Sequence, residues 1–409
     1  MARELPSWTA IEHLVDRISA QRIRARRLLI FVGSSDDPLG ATGISVHIVE
    51  MKRAHDIDES ATKRLRLLAG DGVNDTQGKE IVRQVADHYS ARSNQTREQR
   101  EASPIIHLKK LNNWIKSVLI QIYTQRGDTV LDMACGKGGD LIKWDKASIG
   151  YYVGIDIAEG SIEDARKRYN GETDHARGRR DFGFPAKLIC ADCFEVDLEK
   201  ILKDDGLFNV CSVQFAMHYS WDTEERARRA FRNVSAILQP GGCFIGTMPD
   251  ADVLVRKLRD APELEFGNRV YRVRFDEKYS EKQFPSSTPY GIQYEFHLED
   301  AVDCPEWLVP FQCFKSLAAE YGLELVFKSN FHSFVKQYCQ QKDFADLMRK
   351  LGALGDSAAG DAITDDEWDA AYIYLVFVFR KSGNKPPRPR SSRGTYKIIS
   401  PDEVIYIPQ

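Results

Sequence analysis

The sequence has no long run of apolar residues. The longest run near the N-terminus, Leu28 to Gly33, is far shorter than the roughly 20 residues that a membrane-spanning helix needs. It also lies behind several charged residues, which is unlike the hydrophobic segment of a secretory signal. We therefore expect a soluble intracellular protein with no membrane partner.

The cysteines do not have the spacing of a disulfide framework. The eight cysteines are scattered through strand-like and helical segments, which is typical of a protein from a reducing compartment. Cys190 and Cys193 form a lone CxxC pair. A structural zinc site would need a second pair of Cys or His at finger spacing, and the sequence has none, so we expect no metal.

The chain carries little net charge. A formal charge of −3 gives no overall attraction to nucleic acid, so any such binding must come from local basic patches. Hydrophobic residues make up 43% of the chain and charged residues 29%. This balance is typical of a soluble globular enzyme.

The two ends of the chain differ in composition from the middle. Residues 1–80 are rich in arginine, and they contain the basic clusters Lys52-Arg53 and Lys63-Arg64-Leu65-Arg66. This pattern fits either a bipartite nuclear import signal or a solvated run of charge. Residues 382–409 include the Pro/Arg-rich stretch from Lys385 to Arg390, which favours an extended tail without a core of its own. We expect both ends to be accessory or disordered, flanking one domain over residues 81–381.

Strand-like and helix-like segments alternate within this domain. Two helical patterns, Ile162–Tyr169 and Thr223–Leu238, lie among the strand candidates. Alternation of this kind predicts a parallel sheet with helices on both faces. The five strand candidates are Thr129–Ala134, Tyr151–Asp156, Ala186–Asp192, Leu207–Val213 and Cys243–Met248.

The pattern changes after the fifth strand. Residues 265–310 are β-rich and aromatic, and we expect them to form an insertion on the substrate side. A helix at about 311–321, a strand Glu324–Lys328, helical sequence to about 353 and a final run Tyr372–Arg380 follow. This order predicts an α/β, class I (Rossmann-like) methyltransferase fold. Its sheet would have seven mostly parallel strands with an antiparallel C-terminal strand, unlike an NAD-dependent dehydrogenase.

A glycine-rich loop follows the first strand, in Leu131-Asp-Met-Ala-Cys-Gly-Lys-Gly-Gly-Asp140. Glycines at such a turn let a nucleotide-like ligand approach the backbone closely. Asp156 ends the second strand, where an acid can accept both ribose hydroxyls, and Asp192 ends the third, where it could contact an adenine amino group. Either acid could instead be a helix N-cap. The two acids together with the late antiparallel strand favour S-adenosylmethionine over NAD.

Residues 105–122 predict a helix that packs on the sheet. Asn112 and Lys116 flank its apolar stripe, where they either reach over the cofactor crevice or point to solvent. The stripe itself consists of Leu108, Leu111, Ile115, Val118, Leu119 and Ile122.

Basic residues cluster around the glycine loop and the segments that follow it. Lys137 and Lys143 lie on the loop and on the helix it opens, and Arg168 ends the next helix. Positive groups at this edge of the sheet suit an anionic acceptor. Some of Arg177, Arg179 and Arg180 would simply be surface charge.

Several motifs occur in the order found in one family. They are Leu111-Asn-Asn-Trp-Ile-Lys116, Asp132-Met-Ala-Cys-Gly-Lys-Gly-Gly-Asp140, Gln214-Phe-Ala-Met-His-Tyr219, Pro240-Gly-Gly, Val302-Asp-Cys-Pro-Glu-Trp307 and Tyr374-Leu-Val-Phe. With them, residues 81–380 resemble the eukaryotic mRNA cap guanine-N7 methyltransferase family, in its plant-type branch. The two ends are not part of the resemblance.

The resemblance implies an enzyme that transfers a methyl group from S-adenosylmethionine to guanine N7 of the GpppN cap of pre-mRNA. It also implies that the protein acts in the nucleus, with capping enzyme or RNA polymerase II as possible partners. Small-molecule methylation and RNA binding without catalysis remain the alternatives.

The resemblance also assigns residues to the two binding sites. Around the donor it places Lys116, Ala134, Asp156, Asp192, Gln214 and Tyr219, and around the cap Asn112, Lys137, Lys143, Arg168, His218, Glu306 and Tyr374. Ala134 stands where many members carry glycine, so a backbone contact there would require a negative φ.

Individual roles in the cap site follow from the same resemblance. Lys137, Lys143 and Arg168 would hold the triphosphate. Glu306 would accept hydrogen bonds from guanine N1–H and the exocyclic amine, and Tyr374 would stack on or touch the cap. Outside the motif, His218 would be taken for an ordinary core or surface histidine. No residue is expected to act as an acid or base.

Overall fold

The computed structural model describes residues 83–88, 90, 97–172, 182–285, 288–356, 361–384 and 396–407. These residues all belong to one compact unit, Gly78–Gln409. The basic clusters before residue 80, the arginines at 177–180 and the stretch Lys385–Arg390 lie outside the described residues.

The strands divide between a central sheet, a smaller sheet and a short hairpin. They are β1 (Thr129–Met133), β2 (Tyr151–Asp156), β3 (Ala186–Cys190), β4 (Phe208–Gln214), β5 (Leu238–Pro249), β6 (Glu265–Gly267), β7 (Tyr271–Phe275), β8 (Gln293–Leu298), β9 (Val302–Trp307), β10 (Leu323–Asn330), β11 (Gly355–Asp356), β12 (Asp361–Ala362), β13 (Tyr374–Lys381) and β14 (Ile405–Tyr406).

Helices connect most of these strands. They are α1 (Arg97–Glu101), α2 (Ile106–Tyr123), α3 (Leu141–Lys146), α4 (Glu159–Tyr169), α5 (Leu198–Ile201), α6 (Glu224–Ile237), α7 (Ala251–Asp260), α8 (Phe311–Glu320), α9 (Phe331–Tyr338), α10 (Lys342–Leu351) and α11 (Asp365–Tyr372). None of the helices in the described ranges combines the length and the apolar character that a membrane-crossing segment requires.

The central sheet has eight strands in the order β10-β13-β5-β4-β1-β2-β3-β14. β1 to β5 pair in parallel, and β13 lies antiparallel between β5 and β10. The predicted mostly parallel sheet with its antiparallel C-terminal strand is therefore confirmed. Since parallel strands end at one edge, Met133, Asp156, Cys190 and Gln214 meet on the same side of the sheet.

Aromatic packing fixes β5 and β13 to the helix α8. The Phe377 ring of β13 lies 5.1 Å from both Phe244 of β5 and Phe314 of α8, measured between ring centroids. All three side chains are fully buried. Such edge-on contacts add to the free energy gained by burying the rings, so the late antiparallel strand is tightly anchored.

Helix α2 buries a wider face than its apolar stripe indicated. Leu108, Leu111, Ile115, Val118 and Leu119 are buried as expected, but Ile122 is 37% exposed, so that part of the prediction is wrong. Trp114 and Ile120 are buried instead, and the Trp114 indole donates a 2.8 Å hydrogen bond to the Phe344 carbonyl of α10. Because α2 packs against both the sheet and α10, its buried face turns away from Ile122.

The predicted β-rich insertion forms a four-stranded antiparallel sheet, β6-β7-β8-β9. Side chains of β7 alternate between buried and exposed, as expected of a sheet with one solvated face. Helix α11 was not predicted. Its capping box, in which Thr364 and Glu367 bond each other's backbone N–H groups, is visible in the sequence as a T-x-x-E pattern.

The C-terminal tail differs from the expectation of an extended segment. Ile399 and Val404 are only 5% exposed, and Ile405–Tyr406 add β14 as an eighth strand to the predicted seven. The expectation came from the Pro/Arg-rich stretch. The apolar residues that follow it bury themselves against the domain, as apolar groups do when a surface is available.

Candidate active site

A cavity of about 320 Å³ opens at the carboxyl edge of the central sheet. The residues expected around the donor all line it, namely Lys116, Ala134, Asp156, Asp192, Gln214 and Tyr219. Of the residues expected around the cap, Lys137 lines the same cavity. The cavity is where ligands bind in open α/β sheets.

The glycine loop adopts left-handed backbone conformations along this cavity. Gly136 has φ +54° and Gly138 has φ +66°. Ala134 has φ +52°, so the negative φ that a backbone contact was expected to require is not found. A left-handed alanine costs roughly 1–2 kcal/mol, and this strain lies directly at the site.

Asp156 ends β2 and holds the glycine loop in place. Its Oδ2 accepts a 2.7 Å hydrogen bond from the Gly136 N–H, and Oδ1 accepts a 2.9 Å bond from the Ala158 N–H. Burial raises the pKa of Asp156 to about 6. The N-cap of α4 is Ala158, so Asp156 is not the helix cap that the alternative supposed. The acid instead supports the turn before α4 and also lines the cavity.

Asp192 is paired with an arginine that the sequence did not single out. Arg226 of α6 donates a 2.8 Å hydrogen bond to Asp192 Oδ2, and it also binds Asp222 and Glu195. Arg226 lines the cavity as well. In the sequence, the i,i+4 spacing of Asp222 and Arg226 indicates a surface ion pair, but nothing indicates the contact with Asp192.

Lys143 takes part in an internal ion-pair network. Its ammonium lies 2.7 Å from Asp140 Oδ1 and donates a 2.9 Å hydrogen bond to Asn113, while Lys116 lies 2.8 Å from the same Asp140 oxygen. Although burial raises the pKa of Asp140, the two ammonium groups outweigh it and hold that pKa well below its usual range. In the described residues, Lys143 therefore neutralises Asp140.

Asp132 is a second acid of the glycine motif that sequence reasoning left without a role. It is buried, and it accepts hydrogen bonds from the Trp144 indole and the Tyr152 hydroxyl. Burial, reinforced by the charge of Asp140, raises the pKa of Asp132 to about 7. Asp132 also lines the cavity, so this buried carboxyl group of β1 forms part of the cavity wall.

Two other cations lie beside the glycine loop. Lys137 pairs with Asp164 of α4 at 2.7 Å. Arg168, at the end of the same helix, lies near Gly139, since a Cβ added at that glycine would be 3.9 Å from the guanidinium. Burial lowers the pKa of Arg168. The structure thus brings Lys137 and Arg168 together at the loop.

A buried acid, Glu306, lies next to the cavity wall. Only 3% of this residue is exposed, and Tyr294 donates a 2.7 Å hydrogen bond to its Oε2. The Tyr219 hydroxyl lies 3.5 Å from Oε1. Burial raises the pKa of Tyr294 well above its ordinary value, so this hydroxyl remains a donor.

His218 faces the same acid. Its Nε2 lies 3.2 Å from Glu306 Oε1, within ion-pair distance, and neither ring nitrogen has a hydrogen-bond partner among the described residues. A buried histidine whose ring nitrogens make no hydrogen bond is costly. The arrangement leaves polar atoms available for a ligand on the Glu306 side of the site.

Tyr374 and Asn112 occupy different surroundings. The Tyr374 ring lies edge-on to Phe215, with 5.2 Å between centroids, and Phe215 lines the cavity. Asn112 on α2 is half-buried, and its side-chain oxygen is buried without a partner in the described part of the chain. The other residues expected around the cap are not among those that line the cavity, namely Asn112, Lys143, Arg168, His218, Glu306 and Tyr374.

No group of three or more His, Cys, Asp or Glu side chains within the described ranges is arranged to hold a metal ion. Cys190 and Cys193 are free thiols in the structure. Burial raises the pKa of both, well above the ordinary value at Cys193, which disfavours the thiolate that binds metal.

Comparison with known proteins gives consistent matches. The family model for the mRNA (guanine-N(7))-methyltransferase domain matches residues 73–382. The chain is 64% identical to mRNA cap guanine-N(7) methyltransferase 1 of Arabidopsis thaliana, over 82% of this chain and 91% of that protein. It is 61% identical to the protein of the same name from rice, Oryza sativa subsp. japonica, over 81% and 91% of the two chains. It is 43% identical to the mRNA cap guanine-N(7) methyltransferase of Schizosaccharomyces pombe, over 76% of this chain and 84% of that protein.

Proposed function

The chain belongs to the mRNA (guanine-N(7))-methyltransferase family, and from this we propose how its residues carry out the family's reaction. It is a cap methyltransferase that uses S-adenosylmethionine as donor and forms m7GpppN from the GpppN cap of RNA. The observation that supports the residue assignment best is the cavity lined by Asp156 and Asp192, with the buried Glu306 next to its wall.

The residues of the cavity fit the donor. Asp156 presents its carboxylate at the end of β2 and Asp192 presents its own just after the end of β3, and the left-handed loop leaves its backbone open to a ligand. In this proposal Asp156 binds the ribose hydroxyls. Asp192, oriented by Arg226, faces the adenine edge. Lys116, Gln214 and Tyr219 complete the wall, and Ala134 lines the cavity at the start of the glycine loop.

Glu306 reads the guanine. Guanine presents two donors, N1–H and the exocyclic amine, along one edge, and adenine lacks this pair. A carboxylate accepts from both, and Tyr294 holds Glu306 by its Oε2. His218 and Tyr374 close the pocket around the base, and Lys137 and Arg168 attract the triphosphate. Lys143 supports Lys116 through Asp140.

Bound S-adenosylmethionine supplies a methyl group on a sulfonium, which is already activated for displacement. Guanine N7 has a free lone pair and no proton, so no residue has to act as a base. The residues instead align the acceptor with the donor, an effect that can supply roughly 7–11 kcal/mol. Their fixed charges face the site without reorganising during the reaction.

The assay that tests this assignment measures labelled methyl transfer to GpppG-capped, ApppG-capped and uncapped RNA, with free nucleotides alongside. Nuclease digestion of the product should release the label as 7-methylguanosine cap from the GpppG substrate alone. Transfer to free metabolites would favour a small-molecule methyltransferase. Donor-independent cap binding without transfer would favour a non-catalytic RNA-binding module.

We further propose that residues 1–80 and the basic clusters Lys52-Arg53 and Lys63–Arg66 act in localisation rather than in catalysis. The spacing of the clusters supports nuclear import. Removing residues 1–72, which precede the family match, should leave kcat/KM unchanged. Alanine at both clusters should move a fluorescent fusion out of the nucleus.

Association with capping enzyme or RNA polymerase II is also part of the proposal. The support is chemical, since the GpppN substrate arises on nascent transcripts. Co-purification of either protein with the full chain, insensitive to nuclease, would support a direct contact, and its loss after nuclease treatment would argue for a bridge through RNA.

A further inference from the structure

The segment from residue 396 to 407 packs against the donor side of the domain. It lies outside residues 73–382, which match the family model. β14 pairs in parallel with β3, so that Ile405 lies opposite Ile189 and Tyr406 lies opposite Cys190. The Ile407 N–H then donates a 3.0 Å hydrogen bond to the Cys190 carbonyl. The tail thus covers what would otherwise be an edge strand.

The same segment is bound by the end of helix α4. The Ile399 N–H donates a 3.0 Å bond to Asn170 Oδ1, and the Asn170 amide donates a 2.8 Å bond back to the Ile399 carbonyl. Arg166 donates a 3.1 Å bond to that carbonyl, and the Tyr396 ring lies 5.3 Å from Tyr169. The side-chain amide satisfies both backbone groups of Ile399, so the register of docking is specific.

The tail docks through one face. Ile399 and Val404 are buried, whereas the neighbouring Ile398 is 46% exposed. Burying a side chain of this size contributes about 1.5–3 kcal/mol. Ile399 and Val404 therefore make the apolar part of the contact, and Ile398 offers a residue of the same type that takes no part in it.

The two elements held by the tail adjoin the donor-binding acids in the chain, because β3 ends shortly before Asp192 and α4 begins shortly after Asp156. Cys190, which the tail bonds, lies two residues before Asp192, and the intervening Ala191 N–H donates a 2.9 Å bond to the Asp156 carbonyl. The backbone before Asp192 is thus held by β2 on one side and by the tail on the other. Helix α4 begins after Asp156, and Ser161 in its first turns lines the cavity.

We propose that residues 396–407 are a positioning element for the S-adenosylmethionine site, which fixes β3 and α4 so that Asp156 and Asp192 keep their donor-binding arrangement. This proposal rests on the assignment of that site under Proposed function. Without the docked tail, a smaller fraction of the molecules has the binding-competent arrangement. The apparent Kd then rises in inverse proportion to that fraction. Glu306 on β9 and Tyr374 on β13 belong to elements that the tail does not pair with, so cap binding should change little.

The test compares Ile399→Asp with Ile398→Asp in the full chain. Calorimetry measures the Kd for S-adenosylmethionine and, separately, for GpppG, at a temperature where the circular dichroism of every variant matches wild type. Hydrogen exchange at the N–H groups of residues 399 and 407, which donate to Asn170 Oδ1 and to the Cys190 carbonyl, reports whether the tail is docked. We expect Ile399→Asp to weaken S-adenosylmethionine binding at least about fivefold and GpppG binding less than about twofold, with Ile398→Asp like wild type.

Val404→Ser removes a smaller part of the same apolar contact. It replaces Ile399→Asp in the test if that variant does not fold. It should raise the Kd for S-adenosylmethionine in the same direction. Unchanged donor affinity with faster exchange at these two tail N–H groups would overturn the proposal, as would equal weakening of both ligands. A wild-type chain that binds GpppG but not S-adenosylmethionine would overturn the donor site itself.

Discussion

Tyr294 and Glu306 lie directly opposite each other across strands β8 and β9, and the Tyr294 hydroxyl donates a 2.7 Å hydrogen bond to Glu306 Oε2. The insertion therefore supplies both the acid proposed to read guanine and the donor that orients it. The pair is buried, where a hydrogen bond to a charged group contributes about 1.5–3 kcal/mol.

Replacing Tyr294 with Phe tests this orientation. KM for GpppG-capped RNA should rise roughly tenfold, since about 1.4 kcal/mol corresponds to a factor of ten, while KM for S-adenosylmethionine stays unchanged. Tyr271→Phe is the matched control, because it removes a 2.9 Å bond to Asp369 in the same small sheet. Equal changes in cap KM for the two variants would contradict the orienting role.

Lys137→Ala tests the proposed contact with the triphosphate. The change removes a positive charge beside the glycine loop, so KM for capped RNA should rise much more than KM for S-adenosylmethionine. Lys187 lies on β3 and pairs with Asp205 at 2.7 Å, and Lys187→Ala, which breaks this pair, should alter neither KM. If Lys137→Ala affects both substrates equally, the residue supports the loop through Asp164 and has no special part in binding the cap.

The raised pKa of Asp156 predicts a pH dependence of donor binding. Because burial lifts this pKa to about 6, the carboxylate becomes protonated as the pH falls through that value, and it then loses acceptor capacity for the ribose hydroxyls. Without RNA present, the Kd for S-adenosylmethionine should be constant above about pH 7 and rise up to about tenfold per unit below about pH 6. Asp156→Asn should bind weakly with a flat profile. A wild-type Kd that is also flat would contradict this role.

Arg226→Gln tests the residue that sequence reasoning missed. The change leaves the buried Asp192 without its 2.8 Å partner, which is costly for a buried charge. The Kd for S-adenosylmethionine should rise about tenfold. Arg228→Gln, on the same helix but paired with Glu224 and Glu320 near the surface, should bind the donor normally. Similar affinities for S-adenosylmethionine in the two variants would contradict the proposed role of Arg226 in orienting Asp192.

The sequence predicted those parts of the site that depend on local pattern. The glycine loop, Asp156 and Asp192 follow three successive strands, and the rule that parallel strands end at one edge brings them together without further information. The Glu306 motif was identified by its resemblance to the family, and it coincides with strand β9. These features are encoded over short stretches of chain.

Long-range contacts were not predictable. The contact of Arg226 with Asp192 and the contact of Lys116 with Asp140 depend on how distant segments pack. The docking of Ile399 on Asn170 spans 229 residues. Composition indicated an extended tail, but a few apolar residues after the Pro/Arg-rich stretch were enough to bind it to the domain. No periodicity or spacing encodes such partners.

The most direct test of the account is cap discrimination by Glu306→Gln. The kcat/KM for GpppG-capped RNA is divided by that for ApppG-capped RNA in wild type, in Glu306→Gln and in Glu295→Gln, which makes the same change on the exposed face of the neighbouring strand. One acceptor oxygen becomes a donor in Glu306→Gln, so the ratio should fall by at least about tenfold, while Glu295→Gln keeps the wild-type ratio. A ratio unchanged in Glu306→Gln would contradict the claim that this acid reads the guanine.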